Sequence, residues 1–377
     1  MIPYSRQTID EDDVAAVVKV LKSDWLTQGP TIAEFEKALA EYSGARFAVA
    51  APNGTAALYL AYKAAGLKDG DEIITTPNTF VATSNMALIC GTRPVFCDIR
   101  PDTYNIDENK IEKLITPKTK AIVPVHFAGH PCEMDKIIEI AKKHNLLVIE
   151  DACHAIGAEY KNKKIGGIGD LTIFSFHPVK PITTGEGGAI LTNNEAYYQT
   201  MLRLRTHGIA KDPQKTETIG KWHYEMLDLA FNHRVTDIQC ALGLSQLKKL
   251  DKFQKARERV ANYYFEKLKN LKGVVLPTKL AEIKHSWHLF PINLKDASKR
   301  KEVFDYLQAN GIGAQVHYIP AHWQPYYQAM GYPKNLCPNA AAYYNAAISL
   351  PIFPSLTTED QDKVIDLLTR ALGKEHQ

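Results

Sequence analysis

Lys180 occupies an unusual place for a lysine, between two apolar runs in the segment FSFHPVKPITTGEGGAILT, residues 174–192. A residue that precedes proline avoids the helical region, so we expect Lys180 in an extended or turn segment just after the strand-like run LTIFSF. Buried strands and close glycines would confine the amine. Desolvation lowers a lysine pKa and frees the amine to act as a nucleophile or base. The ordinary alternative is a lysine in a solvent-exposed loop.

A second feature is the pair of carboxylates that ends the apolar run in LLVIEDACHAIG, residues 146–157. Glu150 and Asp151 follow a buried strand, and the carboxyl ends of parallel strands are where α/β proteins bind ligands. A buried aspartate needs a cationic partner, and a protonated heterocyclic nitrogen would serve. The alternative is an aspartate that caps a helix, which is common where a strand leads into a helix.

A third feature is the turn in AAPNGTAAL, residues 50–58, where a strand-like run ends and helical spacing begins. Gly54 allows a tight turn, and the free N–H groups at a helix start favour an anion such as phosphate. Ordinary capping by Asn53 or Thr55 is the alternative.

Together, a phosphate-binding turn, a strand-end carboxylate and a confined lysine predict one cofactor, pyridoxal 5′-phosphate (PLP). Its phosphate needs hydrogen-bond donors, its protonated ring nitrogen needs a carboxylate, and its aldehyde needs a lysine.

The elements that would position these residues alternate between strands and helices as far as residue 235. Such alternation predicts an α/β fold with a mainly parallel sheet that helices cover on both faces. From residue 235 to residue 270 the apolar spacing predicts a single long helix that leads into a smaller α+β domain. We therefore expect a large domain over residues 1–245 and a small C-terminal domain over residues 246–377.

Composition excludes several classes of protein. The chain has 45 basic and 42 acidic residues in 377, so it lacks the basic field of a general nucleic-acid-binding protein. No signal-peptide core and no bilayer-length apolar run is present, and the six cysteines are widely spread, which predicts reduced thiols in a cytoplasmic protein without membrane association. His126, His130 and Cys132 are close in sequence, but no second ligand pair has metal spacing, so we expect no metal.

Several motifs occur in one order along nearly the whole chain: WLTQGPTIAEFEKALAEYSG, NGTAALYLA, DEIITTPNTFVATSNM, IEDACHAIGAEYKNKKIG, FSFHPVKPITTGEGG and FNHRVTDIQCALGLSQL. With them the sequence resembles the DegT/DnrJ/EryC1/StrS family of PLP-dependent sugar-nucleotide aminotransferases. The resemblance implies the fold type I architecture, with a mixed, mainly parallel sheet between helices in the large domain and a smaller α+β domain after it.

The resemblance also implies roles for residues around the cofactor. Lys180 would form the covalent link to the cofactor aldehyde and then move the proton between the substrate carbon and the cofactor. Asp151 would pair with the ring nitrogen, His154 would lie near the ring or its 3-hydroxyl, and Phe80 would stack on the ring face. The phosphate would be held by Gly54, Thr55 and Ser175. Without the motifs, Phe80 would be interpreted as core, His154 as a core histidine and Ser175 as a turn cap.

Two further residues connect the predicted site to a second subunit and to a nucleotide. Asn232 is expected to reach the phosphate of the neighbouring subunit, so the active unit would be a homodimer with a shared active site. Arg234 is a candidate for the nucleotide diphosphate, because a guanidinium suits that group. Its alternative is a structural ion pair.

The motif HPVKPITTGEGG is most similar to that of the subgroup that makes UDP-4-amino-4,6-dideoxy-N-acetyl-β-L-altrosamine on the route to pseudaminic acid. The implied reaction moves the amino group of L-glutamate to C4 of a UDP-4-keto-6-deoxy-N-acetylhexosamine. Other 4-keto or 3-keto sugar nucleotides are the main alternative. A dehydratase and a non-catalytic regulator are further alternatives; in the dehydratases a histidine replaces the lysine, which Lys180 argues against. The expected substrate contacts are Tyr4, Asp24, Trp25, Leu26, Thr27, Asn53, Gln315, Val316, His317 and Tyr318.

Overall fold

The structure is a computed structural model that describes residues 1–373. In chain order its helices are α1 (Glu11–Leu21), α2 (Pro30–Ser43), α3 (Gly54–Ala64), α4 (Ala82–Ile89), α5 (Glu108–Ile111), α6 (Met134–His144), α7 (Glu195–Leu204), α8 (Pro213–Thr218), α9 (Asp237–Leu247), α10 (Leu250–Leu268), α11 (Arg300–Ala309), α12 (Pro325–Ala329), α13 (Pro338–Ala346) and α14 (Thr358–Gly373). Among the helices of residues 1–373, none combines the length and the apolar composition that crossing a bilayer requires.

The strands, also in chain order, are β1 (Phe47–Ala51), β2 (Glu72–Thr75), β3 (Arg93–Phe96), β4 (Thr119–Val123), β5 (Leu147–Asp151), β6 (Glu159–Tyr160), β7 (Lys163–Lys164), β8 (Leu171–Ser175), β9 (Gly188–Thr192), β10 (Ile209–Ala210), β11 (Glu225–Met226), β12 (Val274–Val275), β13 (Ile283–Lys284), β14 (Phe290–Leu294) and β15 (Ala347–Leu350).

The main sheet has seven strands in the order β1-β9-β8-β5-β4-β2-β3. Strands β8, β5, β4, β2 and β3 pair in parallel, whereas β9 runs antiparallel to both of its neighbours. The predicted α/β fold with a mainly parallel mixed sheet is therefore confirmed. The connection from β8 to β9 carries Lys180 and forms a long hairpin, in which Ser175 pairs with Gly188.

Side chains that alternate along the strands build one core on each face of this sheet. In β1, Ala48 and Ala50 belong to the core beneath α2 and α9, whereas Val49 and Ala51 belong to the core beneath α3. Successive strand residues point to opposite faces, so two covered faces require apolar residues at every position. This explains why the strands are nearly continuous apolar runs in the sequence.

The C-terminal part of the chain has a core of its own, made mainly by α10, α11, α14, β14 and β15. Ile2 from the N-terminus joins this core, while Leu250 and Phe253 at the start of α10 pack in the core of the main sheet. The predicted division between residues 245 and 246 stays a prediction.

The expectation of one long helix from residue 235 is wrong, because α9 ends at Leu247 and α10 begins at Leu250. Lys249 lies at the break, and its amine pairs with Asp10 and Asp13 at the start of α1. On either side of the break, Leu247 and Leu250 pack in the core of the main sheet. Further along α10, Val260 packs in the core of the C-terminal part.

Gly188 at the start of β9 is expected to tolerate no side chain. A Cβ there would lie 2.6 Å from the carbonyl carbon and oxygen of Asn53 and 2.8 Å from the nitrogen of Gly54. Backbone at this distance cannot yield as a flexible side chain can. Gly188→Ala should therefore lower the free energy of unfolding by about 2–3 kcal/mol, as urea denaturation would measure. Gly373→Ala is the control, since no atom lies within 4 Å of its added carbon. Equal unfolding midpoints for both variants would contradict this expectation.

Candidate active site

A cavity of about 480 Å³ opens at the carboxyl ends of β5 and β8 and at the start of α3. Its position is the one at which parallel α/β sheets bind ligands. The structure brings eleven of the predicted site residues into its lining: Tyr4, Asn53, Gly54, Thr55, Phe80, Asp151, His154, Ser175, Lys180, His317 and Tyr318.

Lys180 lies in this cavity, partly buried, in the hairpin between β8 and β9. Its main-chain N–H donates to the carbonyl of His177 at 2.9 Å, which forms a turn directly before the buried Pro181. Burial lowers the pKa of the Lys180 amine, and the nearby Cys153 and Asp151 oppose that effect. The amine is therefore closer to its neutral, nucleophilic form than a lysine in solvent is. The alternative of an exposed loop lysine does not fit this placement.

Asp151 is the last residue of β5, and only 5% of its surface is exposed. One carboxylate oxygen accepts from the Thr83 hydroxyl at 2.6 Å, and the other accepts from the N–H of Cys153 at 3.2 Å. No lysine or arginine among the described residues forms an ion pair with it. Because a buried carboxylate needs compensation, this geometry calls for a cationic group from a ligand.

The start of α3 faces the same cavity. The Asn53 side chain caps the helix by accepting from Ala56 N–H at 2.8 Å, which leaves the first main-chain N–H groups, those of Gly54 and Thr55, without a helical partner. Ser175 ends β8 beside them, and a Cβ at Gly54 would lie only 3.1 Å from the Ser175 Cβ. The missing side chain at Gly54 therefore permits a narrow anion site with a hydroxyl and helix N–H groups as donors.

These three features fit the three groups of PLP. The start of α3 and Ser175 suit its phosphate, the carboxylate of Asp151, which forms no ion pair, suits its protonated ring nitrogen, and the Lys180 amine suits its aldehyde.

Phe80 is exposed in the cavity, whereas His154 is buried. Phe80 is 59% exposed, so the alternative of a plain core residue is excluded, and its ring lies 6.3 Å from that of Tyr318. His154 is buried; its Nδ1 accepts from Ala128 N–H at 3.2 Å and its Nε2 lies 3.1 Å from the Tyr318 hydroxyl. Desolvation, followed by the charge of Lys180, holds the pKa of His154 well below its usual range, so the ring is neutral.

The remaining predicted residues do not line this cavity in their own chain. Trp25 is 55% exposed, and the carbonyl of Leu26 accepts from the N–H of Asp237, which fixes this segment to the start of α9. The main chain of Gln315 forms two hydrogen bonds with the main chain of Ser349 in β15. The binding roles of eight residues therefore stay predictions: Asp24, Trp25, Leu26, Thr27, Asn232, Arg234, Gln315 and Val316.

Asn232 and Arg234 follow β11, and the main chain of Asn232 pairs with that of Thr206, which precedes β10. The Asn232 side-chain oxygen accepts from the N–H of Arg234 at 3.2 Å, and the Asn232 side chain is exposed. Arg234 borders a separate cavity of about 230 Å³ with Gln28 and Arg205. Within residues 1–373, Arg234 forms no ion pair, so the structural alternative for this residue has no support.

Sequence reasoning missed several residues that line the cavity, most of them polar. Thr83 orients Asp151, and its only signal was a hydroxyl three residues after Phe80 in one of the motifs. His288 is 2% exposed, and its Nδ1 has no partner among the described residues. The missed polar residues are Thr79, Thr83, Cys153, His177, Glu186 and His288.

Comparison with known proteins places the geometry in context. The model of the DegT/DnrJ/EryC1/StrS aminotransferase family matches residues 7–369. A UDP-4-amino-4,6-dideoxy-N-acetyl-β-L-altrosamine transaminase of Campylobacter jejuni is 43% identical over 99% of this chain and 98% of its own. Helicobacter pylori PseC, an aminotransferase involved in pseudaminic acid biosynthesis, is 38% identical, with a TM-score of 0.93 over 98% of each chain. The PLP form of a putative Streptococcus pneumoniae sugar aminotransferase is 29% identical, with a TM-score of 0.92 over 98% of each chain.

Proposed function

The chain belongs to the DegT/DnrJ/EryC1/StrS family of PLP-dependent aminotransferases, and from this premise we propose that it moves the amino group of L-glutamate to C4 of a UDP-4-keto-6-deoxy-N-acetylhexosamine. The observation that supports the reaction is the convergence of Lys180, Asp151 and the start of α3 on one cavity. The choice of sugar rests on the similarity to the Campylobacter transaminase and to PseC.

When bound, the cofactor supplies an aldehyde that takes up the amino group and a ring that stabilises negative charge on carbon. The Asp151 carboxylate would face the ring nitrogen, and the Thr83 hydroxyl that donates to it would keep it in one orientation. The first N–H groups of α3 and the Ser175 hydroxyl would bind its phosphate.

Lys180 performs the proton transfer. Its Nζ lies in the cavity, and its lowered pKa would let it accept a proton from the substrate carbon that bears the amino group. In each half of the reaction, the same Nζ would carry the proton between the substrate carbon and the cofactor carbon. Because the amine reaches the reacting carbons from one side only, its position sets the stereochemistry of the new amine. Burial holds the pKa of His154 well below its usual range, so the ring is neutral and adds no competing charge.

We further propose a homodimer in which each subunit completes the active site of the other. The segment that contains β10 and β11 exposes many large apolar side chains, and such a patch marks a contact surface. A second copy of the chain would cover it and would bring the adjacent Asn232 to the partner's phosphate site and Arg234 to the nucleotide diphosphate. The exposed residues are Ile219 (51%), Trp222 (77%), Tyr224 (58%), Met226 (65%), Leu227 (60%), Leu229 (84%) and Phe231 (59%).

The shared site predicts that two inactive variants restore activity when they are combined. Lys180→Ala removes the amine of one site, and Asn232→Ala removes a phosphate contact from the other. Random exchange makes half of the dimers hybrids with one intact site each, so about a quarter of the wild-type activity is expected after co-refolding. Lys180→Ala combined with wild type under the same conditions is the control for refolding. If the mixture of variants stays inactive while the control recovers, the shared site is excluded.

The substrate assignment is tested with a panel of nucleotide-linked keto-sugars and L-glutamate, with mass spectrometry of the products. We expect amination of UDP-4-keto-6-deoxy-N-acetylhexosamine. Turnover of a dTDP-3-keto sugar without amination of any UDP-4-keto sugar would overturn the assignment. Loss of a hydroxyl without gain of nitrogen would indicate a dehydratase. No turnover of any keto-sugar in the panel would indicate a non-catalytic regulator.

For the compartment, we propose the cytoplasm. All six cysteines are free thiols, and five of them are buried, as is typical of proteins kept under reducing conditions.

A further inference from the structure

One hydrogen-bond chain at the wall of the cavity has a defined direction. It begins at Ala128, a buried residue with a positive φ of 58°, whose main-chain N–H donates to Nδ1 of His154 at 3.2 Å. A main-chain N–H can only donate, so Nδ1 of His154 must offer its lone pair. The backbone therefore determines which nitrogen of this ring carries no proton.

The single proton of the His154 ring is on Nε2. Desolvation and the neighbouring Lys180 and His317 hold its pKa well below the usual range, so the ring carries a single proton. With Nδ1 acting as an acceptor, that proton lies on Nε2, which is 3.1 Å from the hydroxyl oxygen of Tyr318. His154 is therefore the donor in this contact and the tyrosine oxygen the acceptor.

The hydroxyl hydrogen of Tyr318 does not point at His154. Burial raises the pKa of this phenol, so the hydrogen stays in place. Because the oxygen accepts from His154, the hydrogen must point elsewhere, and no other described residue forms a hydrogen bond with this hydroxyl. Tyr318 lines the cavity that also contains Lys180 and Asp151, so the space available to the hydrogen is the space that a ligand would occupy.

We propose that Tyr318 donates this hydrogen to an oxygen of the bound keto-sugar, and that Ala128 and His154 are positioning residues that fix the direction of the bond. The inference rests on the proposed function, since it takes the acceptor to be a sugar nucleotide. A keto oxygen accepts hydrogen bonds and cannot donate one, so a group held as a donor recognises it in preference to an amine, which is protonated in solution. Tyr318 would thereby favour entry of the ketone and release of the aminated product.

The tautomer of His154 is tested directly by NMR with ¹⁵N-labelled histidine in the cofactor-free protein. The chain has 13 histidines, and the signal that disappears in His154→Gln identifies the one of interest. We expect an unprotonated Nδ1 and a protonated Nε2 at neutral pH, because burial lowers the pKa of this ring. A protonated Nδ1 would overturn the proposal, since Tyr318 would then donate to the ring and not to a ligand.

The functional consequence is tested with Tyr318→Phe, which removes the hydroxyl and keeps the ring. We expect kcat/KM for the keto-sugar to fall by about 10–100-fold, the usual effect of losing a directed hydrogen bond to a substrate oxygen. Amino transfer from L-glutamate, followed alone as a single-turnover absorbance change, should stay within about twofold of wild type, because the sugar is absent from that step. Tyr326→Phe, at a residue that is 68% exposed, is the matched control.

The outcomes separate this inference from the proposed function. If wild type aminates the keto-sugar and Tyr318→Phe does so equally well, the inference fails and the function stands. An equal loss in both half-reactions would show a structural role for the hydroxyl and would also overturn the inference. If wild type aminates no keto-sugar, the proposed function fails and the inference fails with it.

Discussion

Lys180→Ala is expected to lower transamination by about 1,000-fold or more, because the variant loses both the covalent attachment and the proton carrier. The amine is partly buried in the cavity beside Asp151, and its lowered pKa suits both tasks. Activity alone does not distinguish these roles, so a second measurement is needed. Borohydride reduction of the cofactor-loaded wild type should fix the cofactor to the peptide that contains Lys180, and mass spectrometry should find no such adduct in the variant.

Lys37→Ala is the matched control for this experiment. Its side chain is 77% exposed on α2, and it forms only a surface ion pair with Glu41. Such pairs contribute little, so adduct formation and activity should equal those of wild type. An adduct on another lysine in the Lys180→Ala variant, with activity retained, would contradict the assignment of Lys180.

Asp151→Asn is expected to have opposite effects on activity and on the stability of the empty protein. The substitution removes the charge that the ring nitrogen needs, so kcat/KM should fall by about 100-fold or more and the cofactor should bind more weakly. Without the cofactor, wild type buries a carboxylate that no described cation pairs with. The free energy of unfolding of the empty variant should therefore equal that of wild type or exceed it by about 1 kcal/mol.

Thermal unfolding with and without the cofactor, combined with equilibrium dialysis of the cofactor, measures both effects. Asp305→Asn is the control, since its side chain is 55% exposed on α11 and is not part of the cavity lining. A marked loss of stability in the empty Asp151→Asn variant would show that the carboxylate is structural, and normal cofactor retention would show that it does not face the ring nitrogen.

The parts of the site that the sequence predicted are those that strand ends bring together. Asp151 and Ser175 each end a strand of the sheet, and Gly54 begins a helix directly after another strand. Carboxyl ends of parallel strands meet at one edge, so the order of elements was enough to predict their proximity.

What the sequence did not predict depends on contacts between distant segments. Thr83 and Asp151 are 68 residues apart, and nothing near Thr83 indicates that its hydroxyl meets a carboxylate. The break between α9 and α10 involves Lys249 and Asp10, which are 239 residues apart, while the apolar spacing continues through the break. For Asn232 and Arg234, the proposed partner lies in another subunit, which the pattern of a single chain cannot position.

The hairpin that carries Lys180 has a mechanical consequence. Both of its ends lie on adjacent strands, where Ser175 pairs with Gly188, and Phe176 bonds across it to Gly187 and Thr184. A segment braced in this way cannot travel as a lid does. The displacement of the amine between its attached and free positions must then come from rotations within the four-carbon side chain of Lys180. The backbone of this hairpin stays in place during the catalytic cycle, and the sheet does not bend.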